Sequence, residues 1–199
     1  MRAFARTAAA EARRRSGVDE ATRRVLLYGV MPVWIGAGLG DWWHHRRTEI
    51  ERTSGIRESA IHALMMSEAA APMMLGLFCE VNAAVLGTAA AAVAVHEATA
   101  YADVAFAQSR RRVSPGEQQI HSLLEVVPMA ATALLTVLHW DQAAALAGSG
   151  GRGGQRADLR LRAKLHPLSG RSRAATIVAV ALFGAVPYAE EFVRCLRAA

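Results

Sequence analysis

Apolar residues in this 199-residue chain gather into five long blocks separated by charged segments. Val25 to Trp43 contains one formal charge, Asp41, near its end, and Ser59 to Cys79 contains one, Glu68. Val81 to Ala107 holds Glu97 and Asp103, yet Ala83 to Val95 within it has no ionisable side chain. Gln118 to Trp140 has only Glu125 besides two histidines, and Ala174 to Ala189 has none. A helix that is apolar on every side must be buried in a large protein or in lipid. A chain of this length cannot bury five such helices in protein. At about 1.5 Å per residue, blocks of this size cross the roughly 30 Å of a bilayer core, the last one once Glu190 to Val193 are added. The pattern therefore predicts an all-α, polytopic transmembrane helical bundle with about five spans. A soluble ferritin-like bundle would need a polar stripe on each helix, which runs such as VVPMAATALLTVL lack.

The block ends agree with this reading. Trp42, Trp43 and Trp140 stand at predicted helix ends, where indoles favour the headgroup region. Ser114-Pro115-Gly116-Glu117 reads as a capping box that opens the fourth span and gives Glu117 a structural task. Pro32, Pro72, Pro128 and Pro187 fall inside spans, where lipid-embedded helices tolerate them and bend. Four segments follow: a basic arm over 1–24, a four-helix core over 25–140, a flexible basic loop over 141–173 containing GSGGRGG, and a fifth span with the C-terminus over 174–199.

Composition and charge sharpen the placement. The chain is 53% hydrophobic with 20% charged residues and a mean hydropathy of +0.18, which is lipid-soluble helices averaged with charged loops. Of 23 basic residues all but Lys164 are arginine. Fourteen lie in segments on the side of the N-terminus and nine on the other, so the positive-inside rule puts the N-terminus in the cytoplasm and the chain in the cytoplasmic membrane. The arginines of the N-terminal arm are read as headgroup contacts, with no nucleic-acid partner. Cys79 and Cys195 fall at opposite membrane faces, which predicts no disulfide between them. His44, His139 and His166 are read as interfacial or surface groups, Glu49 and Glu51 as balancing the arginines around them, and the methionines as gap-fillers in packing.

Ionisable groups inside lipid are costly and mark functional sites. Measured from the end where the first span finishes, Asp41 and His45 lie within a turn, and His62, Asp103 and His121 roughly 6–8 Å deep. Glu125 is about 12 Å deep, and Glu68 and His96 about 16 Å. Glu190 and Glu191 of the fifth span come to the same end. The pairs Asp41/His45, Glu58/His62 and His121/Glu125 are four residues apart and share a helical face; His96 and Asp103 are seven apart. Imidazole and carboxylate projecting inward from several helices is the pattern of a two-metal site in a bundle. The expected ligand set is Asp41, His45, His62, Glu68, His96, Asp103, His121 and Glu125. This donor chemistry suits two transition-metal ions, iron in the first reading and zinc in the alternative, and the absence of a thiolate cluster argues against copper(I) and iron–sulfur centres.

The strings DWWHHRRTEIERTSGIRES, HEATAYADVAFA and SPGEQQIHSLLEVVP resemble a family of small, uncharacterised bacterial integral membrane proteins over about residues 25 to 195. That resemblance implies the membrane fold and brings no activity with it. The pattern is also similar, in part, to membrane di-iron hydroxylases and desaturases, although their dense HxxxH and HxxHH boxes are missing and Trp42-Trp43-His44-His45 is the nearest approach. The expected function is a non-haem di-metal oxidoreductase acting on a lipophilic small molecule, with an electron-donor protein as partner. A zinc-dependent intramembrane hydrolase, a b-type cytochrome and a metal or proton transporter are the alternatives.

Overall fold

The computed structural model describes residues 17–149, 156–165 and 167–199, and among them the protein is helical throughout its spans. Helix α1 runs Gly17–Arg47, the short α2 Ile50–Thr53, α3 Gly55–Phe78, α4 Ala83–Gln108, α5 Pro115–Leu138, the short α6 Trp140–Leu146 and α7 Gly170–Ala198. Five of these, α1, α3, α4, α5 and α7, are long and apolar enough to cross a membrane. The first and last begin earlier than the apolar blocks alone indicate. Polar residues from Gly17 to Arg24 extend α1, and the Gly170–Arg173 turn, capped by the Ser169 hydroxyl on the Ser172 amide, opens α7. Most of the basic arm, the glycine-rich run at 150–155 and His166 lie outside the described residues.

Two of the four span prolines have a visible structural consequence. Proline lacks an N–H and its ring crowds the carbonyl four residues back. Ahead of Pro32 and Pro187 the helix widens into π-turns at Leu26–Val30 and Ala181–Ala185, with the Met31 and Val186 amides bonded five residues back to Leu26 and Ala181. Each π-turn sits just before residues that face the polar centre, Trp34 to Asp41 in α1 and Tyr188 to Glu191 in α7. Pro72 and Pro128 are accommodated in α-helix without such a turn.

Helix neighbours form a closed ring: α1 packs on α5, α5 on α4, α4 on α3, α3 on α7, and α7 back on α1. Close approach of α1 depends on small residues, as is usual between helices in lipid. A Cβ on Gly40 would come within 3.0 Å of Ile120 of α5, and one on Gly38 within 3.7 Å of the Tyr188 hydroxyl of α7. At the turn into α3, Gly55 has φ +67°, a left-handed conformation that glycine adopts without penalty.

The interior is inverted relative to a soluble protein. Among the described residues, twelve polar or charged side chains are buried against eleven apolar ones, while Leu64, Val95, Val126, Val137 and Phe183 are about half exposed or more on the outer faces. Apolar outside and polar inside is the arrangement lipid selects.

The 141–173 connection, expected to be flexible, is tied down over much of its length. Trp140–Leu146 is helical, and the 156–165 strip lies over the α3–α4 turn. Backbone bonds join Glu80 to Arg162, Lys164 to Phe78 and Ala84 to Asp158, and the Asn82 amide donates to Arg160. Asn82 also caps α4 through the Val85 amide, so one side chain fixes both the helix start and the strip. Both cysteines are free thiols.

Candidate metal centre

The polar centre is built from one repeated local pattern. Asp41/His45 on α1, Glu58/His62 on α3 and Glu117/His121 on α5 each place an acid one helical turn before a histidine, so both side chains leave the same face. Asp103 of α4 and Glu191 of α7 complete the ring of donors. All eight residues are buried.

Glu191 lies between two of the imidazoles. Its Oε2 accepts from His45 Nδ1 at 2.8 Å and its Oε1 from His62 Nδ1 at 2.9 Å. This double contact holds the two rings stacked, 4.5 Å apart and 5° from parallel. With Nδ1 protonated and donating to Glu191, each ring turns an Nε2 lone pair away from α7. Metal-bound histidines are oriented in this way by a carboxylate on the other ring nitrogen.

Two donor groups gather on the Nε2 side. In the first, His45 Nε2 is 3.4 Å and His121 Nε2 2.9 Å from Asp41 Oδ1, with Glu117 Oε1 3.6 Å from His45 Nε2. In the second, His62 Nε2 is 3.3 Å from Asp103 Oδ2 and 3.9 Å from Glu58 Oε1. Ligands about 2.1 Å from a tetrahedral ion stand about 3.4 Å from one another, so these separations match the edges of coordination polyhedra. Each of the sets Asp41–His45–His121 and Glu58–His62–Asp103 has its ligand atoms within 4.8 Å of one another and can hold an ion. A third such set, His45–His62–Glu191, uses the Nδ1 faces, which the hydrogen bonds to Glu191 already occupy.

Two buried atoms at this place, His45 Nε2 and Asp103 Oδ1, have no hydrogen-bond partner. Leaving such groups unpaired in a protein interior is expensive. A cation coordinated by them removes that cost, so the donor set fits a metal.

Other residues fix the acids. Tyr188 donates from its hydroxyl to Asp41 Oδ2 at 3.1 Å. Arg111, in the α4–α5 loop with its side chain only 3% exposed, reaches Glu58 Oε1 at 2.5 Å and Glu117 Oε1 at 2.6 Å. Burial pulls the Arg111 guanidinium down, but Glu58 and Glu117 outweigh it and hold its pKa above the ordinary range. The capping box is present: the Ser114 hydroxyl accepts from the Glu117 amide and the Glu117 carboxylate from the Ser114 amide. Glu117 thus does two jobs, closing the helix start with one oxygen and facing the centre with the other. Glu190, one residue before Glu191, points instead to the rim, bonded by Trp42 at 2.8 Å and Arg46 at 3.0 Å. Arg194 contacts both Glu190 and Glu51, while Glu49 pairs with Arg52.

Of the residues expected from sequence, the structure brings Asp41, His45, His62, Asp103 and His121 together. Glu68, His96 and Glu125 stand outside the three sets. His96 Nδ1 is 3.4 Å from Glu68 Oε2, Glu68 Oε1 accepts from the Thr99 hydroxyl at 2.9 Å, and Glu125 is half-buried. His96, Glu125, Asp103 and Tyr188 line a void of about 40 Å³ beneath the donors. Depth explains the separation, because His96 and Glu68 lie about two turns below the ring of donors. The sequence reading left Glu58, Glu117, Tyr188 and Glu191 out of the ligand set. The signal for two of them was available: the acid-x-x-x-His spacing occurs three times, and for His121 the partner is Glu117, four residues before it, rather than Glu125, four after.

The chain matches no family model, no curated protein and no solved structure. The fold class and the buried donor clusters therefore rest on the geometry.

Proposed function

We propose that this protein is a membrane-embedded di-metal oxidoreductase, with two iron ions as cofactor and a lipophilic small molecule as substrate. One observation carries the reading: five buried carboxylates, Asp41, Glu58, Asp103, Glu117 and Glu191, surround three imidazoles with one buried guanidinium among them. With the imidazoles neutral, as metal ligands must be, four negative charges are left over, which two divalent cations would neutralise. A carboxylate-rich set with imidazole favours iron or manganese over thiolate-seeking metals.

His45, His121, Asp41 and Glu117 would hold one ion, and His62, Asp103 and Glu58 the other. Bound iron would supply dioxygen activation, with electrons delivered by a donor protein. Glu191 keeps the protons of His45 and His62 on Nδ1 so that both Nε2 lone pairs stay available. Tyr188 fixes the rotamer of Asp41, and Arg111 restrains Glu58 through both of its oxygens and Glu117 through Oε1. The protein sits in the cytoplasmic membrane with its N-terminus inside, in this reading, as a member of the family of small bacterial integral membrane proteins its motifs resemble.

Elemental analysis and an absorption spectrum of protein purified in mild detergent test this. About two irons per chain without a Soret band is the expected result. One zinc per chain would move the reading to a hydrolase, and a chain without metal would refute it. His62→Ala should lose metal while the far-ultraviolet circular dichroism stays helical.

A further inference from the structure

An apolar cavity of about 500 Å³ runs between α1, α3, α4 and α5, from the polar centre to the opposite end of the bundle. It shares Trp34, Ala69 and His96 with the small void beneath the donors, so the two are contiguous. Its walls are aliphatic, Leu86, Ala89, Val93, Ala131 and Leu135 among them, and its far end is charged, formed by Arg23, Glu80, His139 and Lys164. Volumes of about 300–1,000 Å³ are typical of sites that enclose a small organic ligand.

We infer that this cavity binds a single-chain amphiphile with an anionic head, its head at Arg23 and Lys164 and its chain end at Trp34 and His96. The inference deepens the functional reading by naming the substrate class, and rests on that reading only for what happens at the chain end.

Three observations fix the occupant. The first is charge. At the far end Glu80 is engaged by the Leu165 amide at 2.6 Å, and Lys164 donates to the Gly76 carbonyl. Burial, then the positive charges of Arg23 and Lys164, push the His139 imidazole below its ordinary range, against weaker opposition from Asp19 and Glu80. Arg23 and Lys164 against Glu80 leave the lining of this end with one net positive charge, which favours an anion. The second is length. From Ala83 at the start of α4 to His96 is about 20 Å along the helix, most of one bilayer core and the span of an extended acyl chain. The third is direction. Arg23 and Lys164 flank the spans on the side assigned to the cytoplasm, so a lipid lying in its ordinary orientation, head at that interface and chain towards the midplane, enters without turning over. The chain end then stops beside His96, whose two ring nitrogens lack hydrogen-bond partners, at the floor of the metal centre.

The test uses the full-length protein in phosphatidylcholine vesicles with hexadecanoate brominated either at its terminal carbon or beside the carboxylate. Bromine quenches only nearby indoles. The terminal bromine should quench saturably, and that quenching should vanish in Trp34→Phe and in Ala131→Trp, which fills the cavity. Saturable quenching of Trp34 by the head-side bromine instead would reverse the orientation and overturn the proposal, as would quenching unchanged in Ala131→Trp or no saturable quenching by either probe. Metal content is measured on the same preparations. Chain binding without metal refutes the metal reading alone, and full metal without chain binding refutes this inference alone.

Discussion

Glu191→Gln isolates what the carboxylate between His45 and His62 contributes. The native group accepts two Nδ1–H bonds, at 2.8 and 2.9 Å, through its two oxygens. A glutamine has one carbonyl oxygen and one amide, so it can accept from only one ring and must present N–H to the other. That second ring then either loses its bond or moves its proton to Nε2, the nitrogen that faces the donor group, and a protonated Nε2 cannot bind a metal. The stacked geometry, 5° from parallel, gives neither ring room to compensate by turning. Losing such an orienting partner typically weakens metal binding about 10–100-fold, or about 1.4–2.7 kcal/mol. Competition against chelators of graded strength, read by elemental analysis, measures the change. Glu190→Gln removes the same charge one residue away, where the side chain bonds Trp42 and Arg46 at the rim, and should leave affinity as it was. If Glu191→Gln binds metal as tightly as the native protein, or Glu190→Gln weakens it equally, the orienting role is refuted and only net charge matters.

Ser114→Ala removes the hydroxyl that caps α5 and should cost about 0.5–2 kcal/mol. Because the same box positions Glu117, metal affinity should fall together with the melting temperature in detergent, and Ser114→Thr should restore both. His139 titrates below its ordinary value in the folded protein, so between its folded pKa and about 6.5 the unfolded chain binds more protons. Stability is therefore complete above that window and lost as pH falls through it; in His139→Gln the melting temperature should decline less over the same range, and an unchanged slope would count against the burial of this ring. Chelation should lower the melting temperature of the native protein, by an amount that reflects about 2.7 kcal/mol when free metal had been a hundredfold above its Kd.

The spans were legible because lipid demands uniform apolarity, a signal that survives without knowing any contact. Helix ends were less so: Gly17–Arg24 carries the charges of an interfacial arm, and only its continuity with the Leu26–Val30 turn makes it helix. The strip at 156–165 reads as loop in sequence because it is held by backbone bonds and by Asn82, neither of which leaves a periodic trace. At the centre, depth along the helices grouped Asp41, His45, His62, Asp103 and His121, which the structure brings together. It also put Glu68, His96 and Glu125 deeper than the rest, and these three are the ones that stand outside the donor groups. Glu191 was invisible as a partner for a different reason. Nothing in Tyr-Ala-Glu-Glu says which of two adjacent acids faces inward; in the folded chain, after the π-turn ahead of Pro187, Glu191 meets the histidines and Glu190 meets Trp42.

The inverted interior ties stability to the charge balance of the polar centre. Apolar faces turned to lipid give little drive for helix association, since the chain exchanges one apolar neighbour for another. What joins α1, α3, α4, α5 and α7 is largely the buried polar centre, where every helix contributes at least one acid. Without a counter-charge those acids repel, and Arg111 offsets only one of them. The same electrostatics that suit the centre to a metal would make a bound ion a structural bond between five helices. A protein emptied by chelation should then loosen first where the donors meet, with the α4–α5 loop and the end of α7 exchanging amide hydrogens faster while the apolar halves of the spans stay protected. Uniform loosening along the spans would mean that packing, and not the centre, holds the bundle together.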